Sequence, residues 1–309
     1  MSSDSLEPKG PGLSLTRPGL SPDVFDQKDE GLSPTDTGLS PELPPPAAPK
    51  AYSHGVCPQF EEGDNVIMSG GFSRGFRLIV PDGPVGAPVV FMYHGHYGTP
   101  EGMLNSFSGQ WVADTLGAIV VAPGSCCFTN QACCDSLGNW NFPPLSDHAA
   151  DLVFFDDLLT CIGEQFDPDL SRVYAVGVSA GGLWGSYVIM HRSQYLAAAA
   201  IFSGGTGFAN ICSKPDYPLP VLLVRCGETD LCTTRPYALD FHDMMTSFSF
   251  KLQGEGHFVV ECNHGQGHKV PPGSPQWAAQ FLFPHAWGDW SSPYETGLPP
   301  IFPDYCDMP

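Results

Sequence analysis

The chain has 309 residues, 42% of them hydrophobic, which is enough for one large α/β domain with extensions. Its 13 Lys and Arg stand against 33 Asp and Glu, a formal net charge of -20 that argues against nucleic acid or an anionic membrane surface as partner. No apolar run approaches the roughly 20 residues of a membrane span, and no secretory h-region follows Met1.

Residues 1–50 are rich in Pro, Gly, Ser and Asp, and Gly-Leu-Ser recurs at 12–14, 19–21, 31–33 and 38–40. Such a segment buries too little apolar surface to offset its ordering entropy, so it reads as a disordered tether. A peptide ligand with leucine anchors is the functional alternative. The folded, catalytic domain is expected over 51–309. Residues 64–80 read as a hairpin turning at Ser69-Gly70-Gly71. Pro88–Tyr93 is a near-continuous apolar run, as suits a strand buried on both faces, and ends in His94-Gly95-His96-Tyr97. One helix is expected over 100–116, a strand over 118–122, and a Cys-rich loop over 125–147 that carries Trp140 and Asn141. Helical spacing runs from Asp147 to Phe166. Strands follow at 173–178, 197–202 and 220–225, with a last one expected within 248–260 and a final helix over 274–283. This alternation predicts a doubly wound, mostly parallel sheet.

The most informative stretch is Gly177-Val178-Ser179-Ala180-Gly181, between a β-branched strand and a helix. A serine on so sharp a turn is lifted clear of the sheet, and small neighbours let the backbone close around it. Ser179 is therefore the candidate nucleophile; a buried serine in a plain turn is the bland alternative. A serine hydroxyl needs a base and a group to orient that base. Asp230, on the loop after 221–226, is the candidate acid, with Glu228 as rival and Asp240 and Asp243 read as surface charges. His268, in a Gly-rich loop after the last strand, is the candidate base. His264 is its main rival, and His257 is read as packing. The backbone N–H groups of Ala180 and His96 are the expected oxyanion donors, with the His94 side chain shaping the loop. Glu261, His264 and His268 do not have convincing metal spacing, because Gly265 and Gly267 oppose a helix there. No cofactor or metal is expected.

Tyr93-His94-Gly95-His96, Gly177-Val178-Ser179-Ala180-Gly181-Gly182 and Gly267-His268-Lys269-Val270-Pro271 resemble the secreted polyhydroxybutyrate-depolymerase and feruloyl-esterase-like branch of the α/β-hydrolases. Trp140-Asn141-Phe142 is similar to that branch too. The resemblance covers about residues 60–290. It implies an α/β-hydrolase fold and extracellular hydrolysis of carboxylic esters, with an aromatic near Trp140 lining the site. No polymer-binding module of the kind many depolymerases carry is expected. The short segment between the strands at 197–202 and 221–226 leaves little room for a large lid. An open groove for a bulky or polymeric ester follows, with Trp140, Trp184, Tyr97 and Phe208 as candidate walls against the alternative of core packing.

Eleven cysteines are more natural in an oxidising compartment, so a secreted monomer is expected, its export signal cut away. Cys126 and Cys127 with Cys133 and Cys134 are expected to brace one loop, Cys226 with Cys232 to pin the acid's loop, and Cys57 with Cys306 to tie the termini. A zinc site at the first four lacks the usual ligand spacing. Three functions compete: a serine esterase on polyesters or plant-polymer esters, a serine peptidase on the same scaffold, and a binding protein with a decayed site.

Overall fold

The computed structural model describes residues 45–125, 140, 150–206, 214–232, 239–289 and 291–309, the Cys232 side chain excepted. Most of the expected tether lies outside them, as do Cys126, Cys127, Cys133, Cys134, Asn141, Phe142 and Phe208.

Gly63–Ser69 (β1) and Phe72–Ile79 (β2) pair antiparallel, with Ser69 opposite Phe72. Their connection is Gly70-Gly71, at φ 58° and 84°, the left-handed pair that a tight hairpin demands. Val89–Tyr93 (β3) is buried at every position. The single helix expected over 100–116 is in fact two, Pro100–Ser106 (α1) and Gly109–Leu116 (α2). The chain breaks at Phe107 and Ser108, the latter at φ 52°, and the Phe107 ring packs edge-on against Phe202 at 4.9 Å. Burial of that ring outweighs helix continuity. Ile119–Pro123 (β4), Ala150–Phe166 (α3), Val173–Val178 (β5), Ala180–Arg192 (α4), Ala198–Phe202 (β6) and Val221–Arg225 (β7) follow.

A short ribbon, Leu231–Cys232 (β8) with Leu239–Asp240 (β9), leads into Phe241–Gly254 (α5). The strand expected within 248–260 is corrected here: 248–254 is helix, and the strand is Val259–Asn263 (β10). The apolar residues Phe241, Met244, Met245, Phe248 and Leu252 recur at helical spacing and are all buried. Ser274–Leu282 (α6) and Cys306–Asp307 (β11) complete the chain.

Among the described residues the main sheet has nine strands, in the order β1-β2-β4-β3-β5-β6-β7-β10-β11. The six from β4 to β10 are parallel; β1, β2 and β11 add antiparallel edges. Side chains alternate across the sheet. Val89, Phe91 and Tyr93 join the core under α3, α4 and α5, while Val90 and Met92 join the core under α1, α2 and α6. β3 is flanked by β4 on one side and β5 on the other, so the strand order reverses there. A crevice opens at the carboxyl ends of strands at such a reversal. The loops after β3 and β5 are the ones carrying His94–Tyr97 and Ser179.

Candidate active site

Ser179 caps α4 with φ 57° and ψ -121°, strained for a residue with a side chain. Its glycine neighbours are dictated by space. A Cβ at Gly177 lies 2.1 Å from the Gly181 carbonyl oxygen, and one at Gly181 lies 2.1 Å from that of Tyr93. Neither position has room for any side chain, so the turn closes tightly over β3. The loop after β3 runs beside the serine: a Cβ at Gly95 meets Ser179 Cβ at 3.4 Å.

Asp230 follows β7, and its loop crosses the loop after β10 where Gly227 meets Gly265; a Cβ on Gly227 lies 2.7 Å from Gly265 Cα. Gly267 N–H donates to the Cys226 carbonyl at 2.9 Å, which sets the next residue, His268, over the carboxylate. His268 Nδ1 lies 2.5 Å from Asp230 Oδ1, and His268 Nε2 lies 2.9 Å from Ser179 Oγ. With Nδ1–H donating to the carboxylate, Nε2 is left as an acceptor for the serine proton. Asp230 is buried, while the His268 side chain is 34% exposed, so a substrate can reach the imidazole. Burial alone raises the Asp230 pKa, but hydrogen bonds from His268 and Ser203 outweigh it and hold the carboxyl below its ordinary value. The Phe241 ring lies 4.8 Å from the imidazole. Chemically, the array can activate a hydroxyl nucleophile and stabilise the imidazolium that forms.

The rivals go elsewhere. His264 is buried and its Nε2 lies 3.1 Å from the Cys226 sulfur. Glu228 is an exposed loop acid. His257 Nδ1 lies 2.9 Å from the Leu219 carbonyl oxygen. Asp240, read as a surface charge, caps α5 by accepting from Asp243 N–H. His94 is buried; its Nδ1 lies 2.8 Å from the Gly95 carbonyl oxygen and its Nε2 accepts from Ser125 N–H at 3.1 Å. Its bonds fix the neutral imidazole, whose pKa burial lowers. Ala180 follows the serine directly as the first residue of α4, and His96 lies on the loop after β3.

Two expected groove walls are core instead. Trp140 and Trp184 are each 1% exposed and stack on one another at 5.8 Å, 8° from parallel. Trp140 Nε1 donates to the His94 carbonyl at 2.9 Å, so the indole braces the loop after β3 from beneath. Its indole donor finds that partner only when the ring is buried. Tyr97 is 76% exposed, with φ 52° and its ring 3.9 Å from that of His96.

Reading the sequence missed Ser203, which follows β6 on the rim that carries Ser179 and donates to Asp230 Oδ2 at 2.8 Å. The signal was present: an apolar strand ending in Ser203-Gly204-Gly205 is a second small-residue turn at the same sheet edge. Both testable cystine expectations are corrected. Cys57 pairs with Cys161, and Cys306 with Cys262. Cys226 is a buried free thiol rather than a partner of Cys232, because its sulfur faces Ser203 and His264. β11 lies beside β10, with Cys306 opposite Cys262, and that pairing decides the C-terminal bridge.

The sheet order and the serine elbow define an α/β-hydrolase fold. No family model matches the chain. A curated oxidized polyvinyl alcohol hydrolase from Pseudomonas sp is 25% identical, over 56% of this chain and 55% of that protein, so the chain spans about half the length of the curated relative it matches. Among solved structures, native pOPH superposes with a TM-score of 0.66 at 23% identity, covering 82% of this chain and 96% of that one. An S-formylglutathione hydrolase from Agrobacterium tumefaciens gives 0.52 at 17% identity, covering 73% and 94%. A ferulic acid esterase gives 0.51 at 14% identity, covering 71% and 94%.

Proposed function

We propose that the protein is a secreted serine hydrolase of carboxylic esters, acting on polyesters or on esters of plant polymers. The observation that carries the reading is the unbroken line of contacts from Ser179 Oγ through His268 to Asp230 at the reversal of the sheet. In this reading His268 Nε2 takes the Ser179 proton as Oγ attacks the ester carbonyl. Asp230 stabilises the imidazolium, and the backbone N–H groups of Ala180 and His96 receive the oxyanion. The imidazolium protonates the leaving alcohol, and an acyl-serine remains. Water, deprotonated by the same nitrogen, then releases the acid.

The partly exposed His268 and the exposed Tyr97 support an open site, suited to a bulky ester, with Tyr97 as a contact for substrate. The two cystines among the described residues support an oxidising compartment. The substrate panel comprises polyhydroxybutyrate, oxidized polyvinyl alcohol, feruloyl and acetyl esters, an aromatic polyester and short p-nitrophenyl esters. Ser179→Ala lowers kcat/KM on whichever ester is cleaved by about 10⁴-fold or more, with the melting temperature kept. Ester hydrolysis that survives this change rejects the reading.

A further inference from the structure

From Asp230 Oδ2, the oxygen that does not meet His268, a line of polar side chains continues through Ser203, Cys226 and His264. Ser203 Oγ lies 2.8 Å from Asp230 Oδ2 and 2.7 Å from Cys226 Sγ. Cys226 Sγ lies 3.1 Å from His264 Nε2, and His264 Nδ1 accepts from Gln266 N–H at 3.2 Å. Two observations fix the directions: a carboxylate only accepts, and His264 Nδ1 accepts from Gln266 N–H. With Nδ1 occupied as an acceptor, neutral His264 carries its proton on Nε2 and gives it to sulfur. The thiol gives its own proton to Ser203 Oγ, a nearer acceptor than the Lys269 carbonyl at 3.5 Å. Ser203 is then left to donate its proton to the carboxylate.

The backbone adds an independent observation. Ser203 sits at φ 46°, a conformation glycine adopts at no cost, and Gly204 and Gly205 follow it. The serine is strained where a glycine would rest easily, so its hydroxyl is the reason to expect a role. We propose that Ser203 is a positioning residue that holds Asp230 Oδ2 so that Oδ1 faces His268, its hydroxyl oriented by the Cys226–His264 pair. The proposal rests on the reading of Ser179, His268 and Asp230 as a catalytic triad. Burial pushes the Cys226 thiol up to about 11, which keeps it a proton donor at neutral pH. Burial likewise lowers the His264 pKa and keeps that ring neutral.

Among the described residues, the ionisable groups on the surrounding segments are His264, His268 and Lys269 on the loop after β10, Arg225, Cys226 and Glu228 at the end of β7 and on the loop of Asp230, and Asp240, His242 and Asp243 at the start of α5. None of them is altered by Ser203→Gly. Without the hydroxyl, the Asp230 charge is shared with one donor fewer, and it holds the His268 proton more strongly. His268 must be neutral to act as base, so the acidic limb of the kcat/KM profile moves to higher pH. The test measures parent, Ser179→Ala, Ser203→Gly and Ser203→Ala on one p-nitrophenyl ester. Ser203→Gly keeps or raises the melting temperature, lowers kcat about 10-fold at unchanged KM, and lifts the acidic limb by about one pH unit. Ser203→Ala moves the limb in the same direction. A Ser203→Gly enzyme with the parent's profile overturns the positioning role while the triad reading stands. So does a lower kcat with an unmoved limb, since that marks a structural defect. A parent that cleaves no ester counts against the triad itself.

Discussion

At the scale of single residues, the site is built from places where a side chain has no room and places where one is held against its preference. Gly177 and Gly181 are the first kind, and Gly181→Ala drives a Cβ into the Tyr93 carbonyl. The expected result is loss of soluble, folded protein, or a melting temperature lowered by about 6 °C or more at a cost of about 3 kcal/mol or more. Ser179 and Ser203 are the second kind, at φ 57° and 46°. Asp230→Asn keeps the shape but offers an amide where the carboxylate fixed the His268 tautomer, so kcat falls by about 10⁴-fold with KM little changed. Cys226 carries a pH signature. Its folded pKa of about 11 exceeds the 9.0 of a free thiol, so the folded state holds this proton where the unfolded chain has lost it. The stabilisation is complete below about pH 9 and is lost as pH rises to about 11. Denaturant unfolding at pH 8 and pH 10.5 therefore shows a smaller loss for Cys226→Ala than for the parent.

At the scale of elements, α3 is the anchor for the chain that precedes the sheet. Asp156 accepts from Lys50 and Arg192, and Asp157 accepts from the Ser53 backbone and from the Ser53 and Ser69 hydroxyls. Arg74 of β2, fully buried, pairs with Asp151 at the start of the same helix and lies over the Phe154 ring at 4.2 Å. The Cys57–Cys161 bridge adds a covalent tie to α3 across a separation of 104 residues. Closing so long a loop restricts the unfolded chain, and removing the bridge in Cys57→Ser/Cys161→Ser costs about 2–5 kcal/mol. Neither cysteine belongs to the Ser179–His268–Asp230 array, so under the proposed function ester hydrolysis at 25 °C persists while the urea midpoint falls.

At the scale of the molecule, one sheet carries two cores and brings the ends of β5, β7 and β10 to a common rim. That rim places side chains 89 residues apart, Ser179 and His268, at hydrogen-bond distance. Stability at mildly acid pH depends in part on neutral histidines within this frame. Burial holds His94, His257, His264 and His285 below 6.5. In the unfolded chain these rings protonate first, so the unfolded state binds more protons and stability falls as pH drops below about 6.5. A scan of melting temperature from pH 8 to pH 5 shows that decline before carboxylate protonation begins. His285→Asn flattens it, apart from a fixed cost for its bonds to Phe281 and Ser292.

Local sequence was enough wherever neighbours in the chain settle the outcome. Apolar runs bounded by Gly and Pro announced the strands, and Gly-x-Ser-x-Gly after a β-branched run announced the elbow. Asp230 stood out on the loop after an apolar strand and His268 in a Gly-rich loop after the last one, and the fold brings His268 to both Asp230 and Ser179. Contacts between distant segments were decided by packing alone. Burial of one phenylalanine split the helix over 100–116, the β10–β11 pairing gave Cys306 to Cys262, and stacking drew Trp140 and Trp184 inward. Ser203 joined Asp230 because β6 and β7 are adjacent strands, and adjacency in a sheet is a property of the whole chain's topology that no single stretch encodes.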